Sequence, residues 1–305
     1  MSHPVVTHAC IQPARRATRS LRAFALAGSL ALVVVACALT GCTQAVGDSA
    51  ASGETPVTVI DTATPAADST AALAVTGSHD LPGYRLILDE DFSGSSLDSS
   101  KWVTSLPWGT VNRAEGQRYT PDALSLADGM LTITAREDTT GGKQYSSGAI
   151  CTDKRFEFQY GCAEMRAKMP DGAGLWSAFW LLRREKGSND EADIVEVLGR
   201  NPSEGFAVLH YGTMVKKEVL LHAFHGPDLS AGFHTFTLKW EPGLMVWYMD
   251  GVERFRSTKG VPSAPMIVIA NLAVGGEQSW SGAPDATTVF PASYQIDYIR
   301  VWQLE

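Results

Sequence analysis

The sequence predicts an all-β domain in which two antiparallel sheets pack as a sandwich. Short runs of apolar and β-branched residues recur between turn residues, and no long stretch has a helical period. In residues 234–240, large apolar side chains alternate with Thr and Lys, which is typical of a strand with one buried face. Asp250-Gly251 follows and suits the type I′ turn of a hairpin. Further strands are predicted at 131–135, 162–169, 177–182, 266–272 and 294–302.

The first 42 residues have the layout of a secretory signal. Four arginines precede an apolar run at residues 23–39, and Leu39-Thr-Gly-Cys42 ends it. This ending resembles the bacterial lipobox, which implies that Cys42 is acylated and tethers the protein to a membrane. An uncleaved membrane anchor is the alternative, although 17 residues are few for a span. We expect a secreted lipoprotein of the cell envelope.

Residues 43–80 form a predicted flexible linker, and residues 81–305 form one folded domain. The linker contains no Lys, Arg or aromatic residue and is rich in Ala, Ser and Thr, a composition that cannot bury a core. All eight Trp and all eight Tyr fall after residue 80. A domain of this size buries one substantial core, and we expect a monomer.

Charge and cysteine content restrict the partners of the mature chain. Without the four signal arginines, 21 Lys and Arg stand against 33 Asp and Glu, a formal charge of −12. This excess disfavours nucleic acid and other polyanions and favours a neutral ligand. Within the domain only Cys151 and Cys162 remain. They form a disulfide or stay as buried thiols, and the sequence leaves both open.

The segment Glu191-Ala-Asp-Ile-Val-Glu196 carries three carboxylates among residues that favour a strand. On a regular strand Glu191 and Asp193 share one face, and Glu196 points to the other. A single β-bulge between Asp193 and Glu196 adds one residue and returns Glu196 to the face of the other two. The outer α-carbons would still lie about 13 Å apart. We therefore predict a bulged strand in a strongly curved sheet with a concave groove.

Close carboxylates repel one another, so one stays protonated near neutral pH while another is ionised. Glycoside hydrolysis with retention needs this division between a carboxylate nucleophile and a carboxylic acid. A site for a hard cation such as calcium or magnesium is an alternative, as is a solvated acidic face on an edge strand.

Several motifs in the same order resemble glycoside hydrolase family 16, in its laminarinase-like form. The acidic segment resembles the family's Glu-Ile-Asp-Ile-x-Glu signature. Further motifs are GLWSAFW at 174–180, YGCAEMR at 160–166, NLAVGG at 271–276 and DYIRVW at 297–302. The resemblance covers nearly all of residues 81–305. Ala192 stands where Ile is usual, Ser177 where Pro is usual, and Ala149 where Arg is frequent.

The resemblance implies a β-jelly roll with a concave sugar-binding face. It also implies that Glu191 is the nucleophile, Asp193 an assisting acid and Glu196 the general acid/base. The expected activity is retaining endo-hydrolysis of a β-glucan, most consistent with β-1,3 linkages, and catalysis requires no cofactor. Alternatives are a mixed-linkage glucan or a galactan as substrate, transglycosylation, or carbohydrate binding without catalysis.

Aromatic residues and one histidine are the candidate substrate-binding residues. Trp176 and Trp180 lie four residues apart on one predicted strand, so they share a face, and aromatic rings commonly hold neutral sugars. Core packing is the alternative. The other candidates are Trp108, Trp280, Glu115, which begins a loose match to a family motif, and His210, which the resemblance places near the acid/base.

The resemblance also implies a structural calcium, at Asp91, Gly129 and Asp297. Surface caps are the alternative for these acids, since Asp commonly caps turns at the surface. The remaining histidines lack the spacing of a zinc site, so we assign no transition metal.

Overall fold

The computed structural model describes residues 58–59 and 81–305. The predicted signal segment with Cys42 and most of the predicted linker lie outside the described residues. Within the described part of the chain, no helix is both long and apolar enough to cross a membrane.

The first sheet has seven strands and carries the acidic segment. Its strands, in spatial order, are β1 (Thr58–Val59), β12 (Lys217–His225), β11 (Glu204–Gly212), β10 (Glu191–Leu198), β9 (Leu175–Leu182), β16 (Ile267–Val274) and β7 (Ala149–Cys151). Neighbouring strands are antiparallel except β1, which runs parallel to β12. The two residues of β1 fall within the predicted linker and pair with the edge of this sheet.

The second sheet has ten strands. Eight lie in the spatial order β15 (Val252–Ser257), β14 (Leu244–Met249), β13 (His234–Glu241), β8 (Gly161–Lys168), β17 (Ala292–Leu304), β5 (Met130–Glu137), β6 (Tyr145–Ser147) and β3 (Gln117–Tyr119). Two more strands pair at its side, β2 (Tyr84–Glu90) with β17 and β4 (Leu124–Ala127) with β5. Two short 3₁₀ turns, Pro121–Ala123 and Thr140–Gly142, are the only helical elements of the described chain.

The two sheets bury one large apolar core between them, and this confirms the predicted all-β sandwich. Ala192, Val195 and Val197 point from β10 into this core, together with Trp240 and Trp247 from the second sheet. Ala192 therefore faces away from the acidic side of its strand, as expected. Each strand predicted from the sequence matches an observed strand to within a few residues.

The hairpin of β14 and β15 is confirmed at Asp250-Gly251. Both residues have positive φ, 51° and 75°, the backbone conformation that a type I′ turn requires. β13 was predicted to have one buried face, but residues on both of its faces are buried. Thr237, on the face opposite the core, is also buried, and its hydroxyl is satisfied there by donating to the Glu164 carboxylate at 2.7 Å.

The two cysteines of the domain are free thiols. Cys151 packs beside Trp180 on the outer face of the first sheet, whereas Cys162 packs beside Trp302 on the outer face of the second. Stacked sheets lie about 10 Å apart, and a disulfide needs α-carbons within about 7 Å. The core therefore separates the two thiols, and the open question of their pairing is answered against a disulfide.

Candidate active site

The three carboxylates of β10 lie on the outer face of the first sheet because the strand is bulged. Asp193 pairs with Val208 of β11, and the next pair is Glu196 with Phe206, so two residues of β10 lie opposite one residue of β11 between these pairs. The register against β9 shifts at the same place. This confirms the predicted bulge and places Glu196 on the same side as Glu191 and Asp193.

An open cleft crosses this outer face, and all three acids line it. The other lining residues come from the neighbouring strands β9 and β16, from β3 and from the segment before β3: Leu106, Trp108, Glu115, Tyr119, Trp176, Ala178, Trp180, Asn271 and Ala273. Four predicted substrate-binding residues, Trp108, Glu115, Trp176 and Trp180, thus meet the predicted catalytic acids in one cleft.

Burial is the main cause of a raised pKa at all three acids. It raises the pKa of Glu191 to about 7, although the charge of Lys217 opposes the shift. It raises the pKa of Glu196 to about 8, where the Glu191 charge adds to the shift and a hydrogen bond from Trp176 opposes it. Burial, then the charges of Glu196 and Glu191, raise the pKa of Asp193 well above its usual value.

Exposure separates the roles of the acids further. The Glu191 side chain keeps 31% of its surface exposed, whereas Asp193 keeps 4%. Because solvent stabilises a charged carboxylate, Glu191 is the acid that ionises most easily. Glu196 is nearly buried, and its Oε1 accepts a hydrogen bond from Trp176 Nε1 at 2.8 Å. The site therefore combines one accessible carboxylate with one acid that retains its proton near neutral pH.

His210 lies opposite Glu191 in the register of β11. Its Nε2 is 3.6 Å from Glu191 Oε1 and 3.6 Å from Asp193 Oδ2. The resemblance to the family placed this histidine near Glu196, but the contacts here are with the other two acids, because Glu196 pairs with Phe206 instead. Burial, and then the charge of Lys217, lower the pKa of His210, so its imidazole is neutral.

Glu191, Asp193 and His210 also offer three ligand atoms within 4.8 Å of one another. Calcium and magnesium prefer a shell of oxygen ligands, whereas this set supplies an imidazole nitrogen. These three residues also lie beside the buried acid Glu196, and this arrangement favours a site for proton transfer over a site for a hard cation.

Aromatic side chains form two walls of the cleft. On one side, the ring of Trp108 lies 6.0 Å from that of Trp180, at 36°. On the other side, Trp280 packs edge-on against Trp176 at 5.7 Å and against Phe206 at 4.7 Å. Trp108 and Trp280 are 53% and 40% exposed, so each presents a ring to solvent.

Hydrogen bonds connect the first wall to Glu115. Trp180 Nε1 donates to Asn271 Oδ1 at 2.8 Å, and Asn271 Nδ2 donates to the Tyr119 hydroxyl at 3.1 Å. That hydroxyl donates to Glu115 Oε2 at 3.3 Å. Asn112 Nδ2 donates to the other Glu115 oxygen at 2.8 Å. Trp180 is therefore packed and hydrogen-bonded in the protein and also lines the cleft, so core packing and substrate binding do not exclude each other for this residue.

The residues expected to hold calcium lie where β2, β5 and β17 meet. A side chain at Gly129 would lie 3.8 Å from the Asp91 carbonyl oxygen, so these two segments are close. The Asp91 carboxylate accepts hydrogen bonds from Ser93, and Asp297 pairs with Arg166 at 2.5 Å. Both carboxylates thus have protein partners, as the surface-cap alternative expects, and calcium here stays a prediction.

Comparison with known proteins identifies the family. Residues 113–300 match the sequence profile of Glycosyl hydrolases family 16. The chain belongs to this family. This family 16 chain is 31% identical to glucan endo-1,3-beta-glucosidase A1 of Niallia circulans over 263 residues. The match covers 73% of the chain and 38% of that protein. It is 32% identical to a beta-glucanase of Rhodothermus marinus, over 73% of the chain and 86% of the relative.

Solved structures share the fold of this family 16 chain. The endo-beta-1,3-glucanase of Pyrococcus furiosus matches with a TM-score of 0.65 and 33% identity, over 73% of the chain and 95% of that structure. The laminarinase catalytic domain of Thermotoga petrophila matches with a TM-score of 0.64 and 30% identity, over 73% of the chain and 98% of that domain. The predicted β-jelly roll is thereby confirmed.

Three residues of this family 16 site were not predicted from the sequence as site residues. Asn271 was visible as a polar residue inside an apolar strand, and Tyr119 as the end of a motif, but neither position alone indicates a shared hydrogen bond. Trp247 Nε1 donates to the Asp193 carbonyl oxygen at 2.9 Å from the other sheet, 54 residues away. No local pattern indicates that contact.

We predict that Trp176→Phe raises the pKa of Glu196. The substitution keeps an aromatic ring but removes the indole N–H that stabilises the carboxylate, so the rise should reach up to about one pH unit. Carboxyl titration by carbon-13 NMR of glutamate-labelled protein measures it. Trp302→Phe, a buried ring change on the second sheet, is the control. An unchanged or lowered Glu196 pKa would contradict the role given to Trp176.

Proposed function

We propose that the protein is a retaining endo-glycosidase that hydrolyses a β-glucan with β-1,3 linkages by double displacement. The observation that carries this proposal is the bulged strand, which presents Glu191, Asp193 and Glu196 together in an open aromatic cleft. The names of the relatives, glucan endo-1,3-beta-glucosidase and beta-glucanase, support the substrate class. The chain spans less than half of the first of these relatives, so the substrate and activity are inferences for this chain.

In the first step, the ionised Glu191 attacks the anomeric carbon and forms a glycosyl ester. Glu196 donates its proton to the departing glycosidic oxygen, which leaves as the hydroxyl of the new chain end. The raised pKa of Glu196 keeps that proton in place near neutral pH, and the greater exposure of Glu191 favours its charged form.

In the second step, the ionised Glu196 removes a proton from a water molecule. The resulting oxygen attacks the anomeric carbon, the ester bond breaks, and Glu191 is released as a carboxylate. Each cycle returns both acids to their starting forms and consumes one water. Only side chains and water take part.

Asp193 lies between these two acids, and burial together with both their charges favours its protonated form. As a neutral acid it can donate a hydrogen bond to Glu191 during attack, which disperses the charge of the nucleophile. His210, neutral and 3.6 Å from both Glu191 and Asp193, limits where those carboxyl groups can move.

The open cleft and its walls favour internal cleavage of a neutral chain. Trp108 packs against Trp180 and Trp280 packs against Trp176, so a bound sugar chain would meet an exposed aromatic ring at two places along the cleft. A neutral polymer also avoids repulsion by the acidic protein, whereas a sulfated galactan does not.

We predict that Glu191→Gln abolishes release of reducing sugar from laminarin. Loss of the nucleophile should lower kcat by more than about 1,000-fold, since an amide cannot form the glycosyl ester. Product analysis on a panel of β-1,3, mixed-linkage and galactan substrates measures linkage and cleavage pattern together. Longer products than substrate would indicate transglycosylation.

Glu157→Gln is the matched control, because Glu157 is exposed in the loop between β7 and β8. It should retain wild-type activity. If wild-type protein released no product from any substrate of the panel, the hydrolase proposal would be wrong, and binding without release would favour the carbohydrate-binding alternative.

We predict a bell-shaped dependence of kcat/KM on pH with its maximum near neutrality. The active form needs Glu191 ionised and Glu196 protonated, so activity falls at low pH as Glu191 gains a proton. It falls at high pH as Glu196 loses one, near its pKa of about 8. Rates on laminarin from about pH 4 to about pH 10 test this. An activity that stays constant above about pH 9 would exclude Glu196 as the acid.

We further propose that the protein is exported and anchored to the cell envelope through lipid on Cys42, with its domain acting as a monomer. The apolar run and the Leu-Thr-Gly-Cys ending support this.

We predict that the protein from a bacterial host partitions into the detergent phase, and that Cys42→Ser moves it to the aqueous phase. Removal of the acyl chains leaves no anchor once the signal is cleaved. Cys37→Ser, within the same segment, should keep the wild-type partition. A Cys42→Ser protein that stays in the detergent phase would support the uncleaved anchor instead.

A further inference from the structure

The bulge that brings the three acids to one face also leaves a backbone carbonyl group of β10 in need of a hydrogen-bond donor from outside the sheet. A bulge inserts an unpaired residue and interrupts the ladder of hydrogen bonds. Here the ladder is interrupted after Asp193. The Asp193 carbonyl oxygen accepts its hydrogen bond from Trp247 Nε1, at 2.9 Å.

The donor reaches the bulge from the opposite sheet. Trp247 lies on β14, is 1% exposed, and points across the core toward β10. Its ring is held by Phe255 of β15, with ring centroids 4.9 Å apart. Since the ring is enclosed in the core, the position of its N–H is fixed by packing rather than by the bulge itself.

A neutral donor also suits this position. A lysine or arginine here would satisfy the same carbonyl oxygen, but its charge would lower the pKa of nearby buried acids. An indole N–H completes the hydrogen bond without adding charge beneath them, so the protonated state of Glu196 is preserved.

We propose that Trp247 is a positioning residue that holds the bulge of β10 through the Asp193 carbonyl oxygen and thereby aligns Glu191 with Glu196. The inference rests on the proposed hydrolase function. The residue does not touch the cleft, so its effect falls on the chemical step and not on substrate binding. A displacement of about 1 Å in a reacting group can lower the rate by about 100-fold.

The chain offers a matched pair of variants for the test. Trp247→Phe removes the N–H at the bulge. Trp240→Phe removes the same group from a fully buried ring on the adjacent strand β13, where Nε1 donates to the Pro262 carbonyl oxygen at 3.0 Å. Both variants lose one indole hydrogen bond to a backbone carbonyl, but only one of these carbonyls belongs to the bulge.

Steady-state kinetics on laminarin, well below the melting temperature of each protein, should separate the two. For Trp247→Phe we expect kcat to fall by about tenfold or more while KM stays within about twofold. For Trp240→Phe we expect both constants to stay within about twofold of wild type. Both variants should lose a similar amount of thermal stability.

A second replacement protects the test against a variant that fails to fold. Replacing Trp247 with 3-benzothienylalanine puts sulfur in place of the N–H in a ring of nearly the same shape, and the same fall in kcat is expected.

Equal kcat values for the Trp247 and Trp240 variants, or a wild-type kcat in the benzothienyl protein, would overturn the inference. An inactive wild-type protein would instead overturn the proposed function, so the two failures are distinguishable.

Discussion

Three carboxyl groups on one side of a buried strand cost desolvation energy and repel one another. A regular strand avoids this by turning successive side chains to opposite faces. β10 departs from that alternation at a single point, between Asp193 and Glu196, and the departure brings the three acids to the same cleft. The apolar core behind the strand, with Ala192, Val195 and Val197 on its inner face, supplies the burial that offsets the cost.

The three acids differ in exposure and in their neighbouring groups, and these differences determine which of them is ionised and which is protonated. Glu191 is the most exposed and lies within the influence of Lys217, both of which favour its charge. Glu196 is nearly buried, so it keeps its proton, although the hydrogen bond from Trp176 opposes the rise of its pKa. Asp193, in the middle, is buried beside the charges of both other acids, and all three effects favour its protonated form. One strand thus holds chemically similar side chains in different protonation states.

The sequence was sufficient for the sandwich, the hairpin at Asp250-Gly251 and the bulge, because each leaves a local pattern of alternation or turn residues. It was insufficient where contacts cross strands. The partner of His210 depends on the register of β11, and the indole of Trp247 reaches Asp193 only after the two sheets pack. From the sequence, Thr237 is expected to face solvent, and only the pairing of β13 with β8 brings it against its partner Glu164.

Chemistry and recognition are built from different parts of the fold. The acids come from one central strand, whereas the exposed rings of Trp108 and Trp280 lie on segments outside the strands, each supported by an aromatic residue of the sheet. Segments outside the sheets tolerate change better than a bulged central strand. A change of glucan linkage therefore requires altered walls, while the bulge must be retained for Glu191 and Glu196 to act together in this cleft.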